Sequence, residues 1–220
     1  MTYTLKEVAI AAGSARLDGA LTLPEDAVGV VVFAHGSGSS RFSPRNTYVA
    51  KVLNESRIAT VLFDLLTQSE DRDYERRFDI GLLTERLLAA TRWLATEGDV
   101  ARLPLGYFGA STGAAAALQA AATLGGDIQA VVSRGGRPDL AGAEALRNVA
   151  APTLLIVGGG DDGVIDLNEQ AAMRMSCEKE VLIVPRATHL FEEPGALEQV
   201  AKHASAWFLR HFGRSVQAPE

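Results

Sequence analysis

Three places in the sequence hold residue types that together can cleave an acyl bond. Gly109-Ala110-Ser111-Thr112-Gly113 sets a serine between two glycines, with the apolar run Leu103 to Phe108 before it and the small-residue run Ala114 to Ala122 after it. Asp161 and Asp162 follow the glycines at 158 to 160, and His189 follows Pro185-Arg186-Ala187-Thr188. A serine hydroxyl is a poor nucleophile until a base takes its proton, and the base needs an acid to orient it. Serine, then aspartate, then histidine is the chain order in which a strand–turn–helix elbow works with its partners. The glycines have a physical reason. The sharp turn crowds the chain on both sides of the serine, so a side chain at 109 or 113 would collide with backbone. Small residues at 114 to 117 let the next helix start close to the sheet, its N-terminus aimed at the hydroxyl.

Each role has competing candidates. His189 is the expected base, because it sits in a loop after a late strand. His203 falls in a polar part of the last helix and reads as a surface residue, and His211 follows that helix's aromatic face and reads as structural. His35, directly before Gly36, comes too early in the chain. Asp161 is favoured over Asp162 as the acid because it has the G-x-x-D-x-x-V spacing from Gly158 to Val164, while Asp166 suits the N-cap of the following helix. An oxyanion hole needs two backbone N–H groups. Thr112, the residue after the nucleophile, is one expected donor. Ser37, in the turn His35-Gly36-Ser37-Gly38-Ser39-Ser40, is the other.

Other chemistries lack their residues. Gly36-Ser37-Gly38 has Arg41 where a dinucleotide fingerprint requires its third glycine, and no Gly-Lys-Ser/Thr is present for a phosphate loop. Four histidines and one cysteine show no ligand spacing, so neither metal nor cofactor is expected. A net charge of −6, with no basic run, argues against a nucleic-acid surface. Cys177 alone cannot build a disulfide framework. The first residues, Met-Thr-Tyr-Thr-Leu-Lys-Glu, do not read as a signal peptide, and no apolar run is long enough to span a bilayer. The expectation is a cytoplasmic protein without a membrane partner, its oligomeric state left open.

The 220 residues, 47% hydrophobic and 22% charged, suit one globular domain over 1–212 with a loose tail at 213–220. The patterning alternates short β-like runs with longer helical ones. Thr4–Ile10 and Ala15–Leu23 predict an edge hairpin, and the β-branched run Val28–Ala34 a central strand buried on both faces. Further strands are expected at Ile58–Phe63, Leu103–Phe108, Ile128–Ser133, Thr153–Val157 and Val181–Val184. Helices are expected at Asn46–Ser56, from an Asp79 N-cap to about Glu97, and at Thr112–Leu124, Leu140–Val149, Leu167–Met175 and Ala196–Phe212. Asp71–Asp79 reads as an exposed loop. Eight strands with interleaved helices and short connections predict a doubly wound, mostly parallel α/β sheet with helices on both faces. Its carboxyl edge would collect Ser111, the Asp161 loop and the His189 loop.

With these motifs in view, the chain resembles an α/β-hydrolase, and more narrowly the dienelactone-hydrolase-like branch. The resemblance runs from about residue 3 to 212 and rests on His35-Gly36-Ser37-Gly38, Gly109-Ala110-Ser111-Thr112-Gly113, Gly158-x-x-Asp161-x-x-Val164 and Thr188-His189. Segments like Ser39-Ser40-Arg41-Phe42-Ser43-Pro44-Arg45-Asn46 and Ser133-Arg134-Gly135-Gly136-Arg137-Pro138-Asp139 resemble bacterial members found alone or joined to a phosphoribosyltransferase domain. True dienelactone hydrolases use a cysteine nucleophile where this elbow carries Ser111, so the resemblance implies hydrolysis of carboxylic esters, with thioesters or lactones as variants. Only Leu140–Val149 lies between the sixth and seventh strands, which leaves no large lid and implies an open site for small ester substrates. Arg41, Arg45 and Arg134 either bind an anionic group at the pocket mouth or anchor loops. The alternative function is a non-catalytic scaffold of the same fold, acting as a binding or regulatory module.

Overall fold

The computed structural model describes residues 2–213, so all but the first residue of the expected tail lies outside the described residues. Eight strands form one sheet: β1 (Tyr3–Ala12), β2 (Ala15–Pro24), β3 (Gly29–Ala34), β4 (Ile58–Phe63), β5 (Leu105–Ala110), β6 (Ile128–Arg134), β7 (Thr153–Gly158) and β8 (Lys179–Val184). Their order across the sheet is β1-β2-β4-β3-β5-β6-β7-β8. The β1–β2 hairpin lies at one edge and joins β4 antiparallel, while every pairing from β4 to β8 is parallel.

Among the described residues six α-helices cover the sheet: α1 (Pro44–Glu55), α2 (Ile80–Leu94), α3 (Thr112–Leu124), α4 (Ala143–Asn148), α5 (Asp162–Arg174) and α6 (Ala196–Phe212). Alternate residues of β3 point to opposite faces. Val30, Val32 and Ala34 pack with Leu83 and Leu87 of α2 and the alanines of α3. Val31 and Phe33 pack with Val49 and Leu53 of α1 and Val200, Ala204 and Phe208 of α6. That two-sided burial is why the strand is apolar throughout. Among the described residues no helix is long and apolar enough to cross a membrane.

Local chemistry sets the helix starts. Ser43 accepts a hydrogen bond from the Asn46 N–H at the head of α1, with Pro44 in the first turn. Asp79 caps α2 by accepting from the Leu82 N–H at 3.0 Å, and α2 ends at Leu94, short of the expected Glu97. The stretch before it is not plain loop, since it holds two short 3-10 turns at Glu70–Arg72 and Arg76–Phe78. Two helix expectations need correction. Leu140–Val149 is split by Gly142 at φ +84° into a 3-10 turn, Pro138–Ala141, and α4. The helix expected from Leu167 begins at Asp162, so Asp166 lies inside it and caps nothing.

The sheet order fixes where a ligand can reach. From β3 the chain crosses to β4 on one side, then returns past β3 to β5 on the other. The loops after β3 and β5 therefore diverge at the carboxyl edge and open a crevice at this switch point. The connection between β6 and β7 carries only a 3-10 turn and α4, and no lid domain.

Candidate active site

Ser111 alone forms the turn between β5 and α3, with φ +51° and ψ −120°. A non-glycine residue held there is strained by on the order of 1–3 kcal/mol, so its surroundings must over-determine it. They do. The Ser111 N–H donates to the Arg134 carbonyl at 3.3 Å, and the Ser111 carbonyl accepts from the Ala114 and Arg137 N–H groups, both at 3.1 Å. A Cβ at Gly109 would lie 2.4 Å from the Ala114 Cα, and one at Gly113 2.1 Å from the Ala34 carbonyl oxygen. Those contacts give the G-x-S-x-G glycines their reason. The first amides of α3 have no intrahelical acceptor and lie beside the serine at the positive end of the helix dipole.

His189 follows β8 in the loop Pro185–His189, and its Nδ1 lies 2.7 Å from Oδ2 of Asp161. The aspartate's side chain is mostly buried, at 19% exposed, whereas Asp162 is an exposed residue opening α5. The glycine run 158–160 fastens the two loops together. The Gly159 N–H donates to Val184 O at 2.8 Å, and the Gly160 N–H to Ala187 O at 2.9 Å. A Cβ at Gly158 would stand 2.3 Å from that same Ala187 oxygen. The turn after β6 completes the junction between serine and histidine. Gly135, at φ +51°, is so close that a Cβ there would lie 3.0 Å from the His189 carbonyl oxygen and 3.6 Å from its Cε1.

On the other side of Ser111, a Cβ at Gly36 would lie 3.1 Å from the serine Cβ, so the loop after β3 passes close beside that serine. The two expected oxyanion donors are linked to each other, since the Ser37 N–H donates to the Thr112 hydroxyl at 3.0 Å. His35 supports this loop from beneath. It is buried, its Nδ1 lies 2.9 Å from the Gly36 carbonyl, and its Nε2 accepts the Leu65 N–H at 3.0 Å. Those contacts need a neutral ring protonated on Nδ1, and burial holds its pKa below the ordinary 6.5. The other histidines stand apart: His203 is exposed, and His211 is buried beside the Trp207 ring at 4.7 Å between centroids.

The three arginines separate. Arg41 is a loop anchor: its guanidinium lies 3.1 Å from Asp64 and 3.7 Å from Asp18, and its N–H donates to Asp64 at 2.8 Å. Its side chain also lines the cleft at the carboxyl edge together with Ser39, Ser40 and Asp64. Arg45 makes a half-exposed pair with Glu192 at 3.3 Å. Arg134 is buried at 6% exposed, beside the Phe191 ring. Among the described residues no cluster of metal-ligating side chains is present.

Cavity size does not locate the chemistry here. A cleft of about 590 Å³ runs along the β1–β2 hairpin and α1, lined by Tyr3, Leu5, Phe42 and Leu62 among others, and contains none of Ser111, Asp161 or His189. A cleft of about 460 Å³ opens at the carboxyl edge beside His35, Ser39, Ser40 and Asp64. The strained serine and the fastened Asp–His pair are the better guide, because reaction needs particular groups at particular distances.

Comparison with known proteins agrees with this architecture. Residues 27–210 match the family described as alpha/beta hydrolase domain. A dienelactone hydrolase from Anabaena variabilis superposes with a TM-score of 0.91 at 55% identity, covering 95% of this chain and 98% of that one. Est1E from Butyrivibrio proteoclasticus shares the fold, with a TM-score of 0.81 at 15% identity over 94% of this chain and 99% of its own. Two proteins of Mycobacterium tuberculosis, strains CDC 1551 and H37Rv, each named putative phosphoribosyl transferase, are 58% identical over 206 residues. That match covers 94% of this chain but 46% of each relative, so the chain spans about half the length of the curated relatives it matches. Sheet order, elbow and these matches together make the chain a member of the α/β-hydrolase family, in its dienelactone-hydrolase-like branch.

Proposed function

We propose that the protein is a serine hydrolase of carboxylic esters, with Ser111 as nucleophile, His189 as general base and Asp161 as the acid that orients it. The observation that carries this reading is the His189 Nδ1–Asp161 Oδ2 contact of 2.7 Å in loops fastened beside a strained elbow serine. With Nδ1–H donating to the carboxylate, Nε2 is left as the base. It takes the Ser111 proton as the oxygen attacks the ester carbonyl. The negative charge on the carbonyl oxygen is met by the Thr112 and Ser37 amides; because the Ser37 N–H already donates to the Thr112 hydroxyl, the oxyanion must share or displace that bond. Collapse breaks the bond to the alcohol, which leaves with the proton from His189. Water then gives its proton to His189 and attacks the acyl–Ser111 ester; as the bond to Ser111 Oγ breaks, His189 returns that proton to the serine oxygen and the acid is released. A thioester would lose a thiol in the same step, and a lactone would open with its alcohol still attached.

A non-catalytic module on the same scaffold is the alternative, but it gives no reason for holding a serine at φ +51° beside an ordered Asp–His pair. The name carried by the M. tuberculosis relatives belongs to proteins about twice this length, and the elbow residues here suit acyl rather than phosphoribosyl transfer. Turnover of a small chromogenic ester tests the reading. Ser111→Ala and His189→Ala should each lower kcat by about a thousandfold or more, and the double variant should lose little beyond either. Retention of more than about a tenth of wild-type turnover by either single variant would refute it.

A further inference from the structure

Asn168 lies in the middle of α5, and no part of it reaches solvent. Its Nδ2 donates to the Val164 carbonyl, one turn back, at 2.8 Å and to the Gly136 carbonyl at 3.1 Å. Among the described residues, the bond to Gly136 is the only hydrogen bond that an α5 side chain makes outside the helix. Oδ1 of the same amide has no partner. A buried amide satisfied on one side only is a poor way to fill a core, so its value lies in the bond it does make.

That bond joins two segments that hold different parts of the site. α5 begins directly after Asp161, whose carbonyl accepts the Val164 and Ile165 N–H groups at 2.9 and 3.0 Å. Asn168 stands about two turns further along that same helix. Gly136 belongs to the turn at 134–137 after β6, and this turn holds Ser111 from both sides. The Arg134 carbonyl accepts the Ser111 N–H at 3.3 Å, and the Arg137 N–H donates to the Ser111 carbonyl at 3.1 Å. Gly136 is packed against the head of α3, since a Cβ there would run into the Ala114 side chain and the Ser133 hydroxyl. The turn that holds the nucleophile is therefore pressed on α3 and bonded to the helix that the acid opens.

We propose that Asn168 is a positioning residue: its amide fixes the Asp161–His189 pair at the distance from Ser111 that proton transfer needs. This rests on the serine-hydrolase reading above and adds the group that sets its geometry. Asp161 and His189 are tied to each other by their own 2.7 Å contact and by the Gly159 and Gly160 amides, while Ser111 is tied to the turn after β6. The sheet places both units to within the play of the loops at its edge, and the Asn168 bond takes up that play. Without it the turn yields to the strain held at Ser111, whose φ is +51°. A displacement of about 1 Å costs up to about a hundredfold in rate. The loss falls on kcat rather than KM, because Asn168 is buried in the helix and touches no ester.

Asn168→Leu and Asn168→Ala test the inference together, because one overfills the site, the other leaves a void, and only the loss of the bond is common to both. Each should lower kcat for a small chromogenic ester about tenfold to a hundredfold, with KM within about threefold of wild type. Labelling of Ser111 by a fluorophosphonate should slow by the same factor as kcat. Ala171→Gly is the control: it loosens α5 at its other buried position and spares the amide. Its kcat should stay within about threefold of wild type, even where its urea midpoint falls as far as theirs. Wild-type kcat in either Asn168 variant, or a loss confined to KM, would overturn the proposal. An equal fall of kcat in Ala171→Gly would overturn it too, since that marks a general loosening of the helix. Where one Asn168 variant does not fold by circular dichroism, the other decides by the same limits. A wild-type protein that neither turns over esters nor takes the label fails the hydrolase reading, and this one with it. Wild-type turnover matched by the Asn168 variants overturns this one alone.

Discussion

Gly113→Ala puts the geometry under the elbow to a quantitative test. In an ordinary helix this change would help, since alanine is favoured over glycine by about 1 kcal/mol. Here the new Cβ would fall 2.1 Å from the Ala34 carbonyl oxygen and 2.5 Å from that of His35, against an ordinary contact of 3.4 Å or more. Both obstacles are backbone at the end of β3, a fully buried strand, and cannot rotate aside as a side chain would. Overpacking a core by one methyl costs about 1–3 kcal/mol, and here, with two backbone oxygens in the way and nothing to yield, about 3–5 kcal/mol. Set against the propensity gain, the net loss should be about 2–4 kcal/mol. With a urea m-value of about 2 kcal/mol per molar, the unfolding midpoint should fall by about 1–2 M. Gly163→Ala is the control, because no atom lies within 4 Å of its Cβ and it sits in the first turn of α5. Its midpoint should hold or rise slightly. Ester turnover should also fall in folded Gly113→Ala, because the clash separates the His35–Ser40 loop from Ser111. Equal midpoints and equal turnover for wild type and Gly113→Ala would mean that α3 does not begin against the end of β3.

Asp161→Asn should lower ester kcat by about a thousandfold or more while Asp162→Asn stays within about threefold, and steady-state kinetics showing the reverse would move the acid one residue along. His35 makes stability depend on pH. Its folded pKa lies below 6.5 through burial, so as pH falls past 6.5 the unfolded chain takes up a proton that the folded protein refuses. Stability should therefore fall toward acid by as much as about 1.4 kcal/mol per pH unit from this group, until the folded pKa is reached. Urea midpoints between about pH 7 and 5 should fall less steeply in His35→Gln than in wild type, whatever the variant's absolute stability. Equal slopes would show that His35 is not held neutral.

The parallel sheet was legible in sequence because its strands are buried on both faces and so read as short apolar runs; Val28–Ala34 is the clearest case, and β3 matches it to within one residue. The elbow was legible for the same kind of reason, since G-x-S-x-G answers to contacts that any side chain would violate. What the sequence does not announce depends on tertiary contacts. The start of α5 at Asp162 was hidden by glycines and aspartates that favour turns, while its buried face is set by Asn168 and Ala171. Asn168 is buried because its Nδ2 donates to the Gly136 carbonyl at 3.1 Å, which no local pattern announces. The glycine run 158–160 signalled only a turn, yet its amides fasten the Asp161 loop to the His189 loop. Nor does sequence separate three arginines by partner: Asp64 and Asp18 take Arg41, Glu192 takes Arg45, and Arg134 is left with Phe191.

Covalent labelling at Ser111 tests the central claim most directly. An active-site fluorophosphonate should modify the native protein in equimolar amount, and mass spectrometry of the proteolysed adduct should place the phosphonyl group on Ser111 alone. Heat-unfolded protein and Asp161→Asn should label far more slowly, because the attack needs the elbow and the oriented His189. A native protein that stays unlabelled, or carries the phosphonyl group on another serine at an equal rate, would contradict the account.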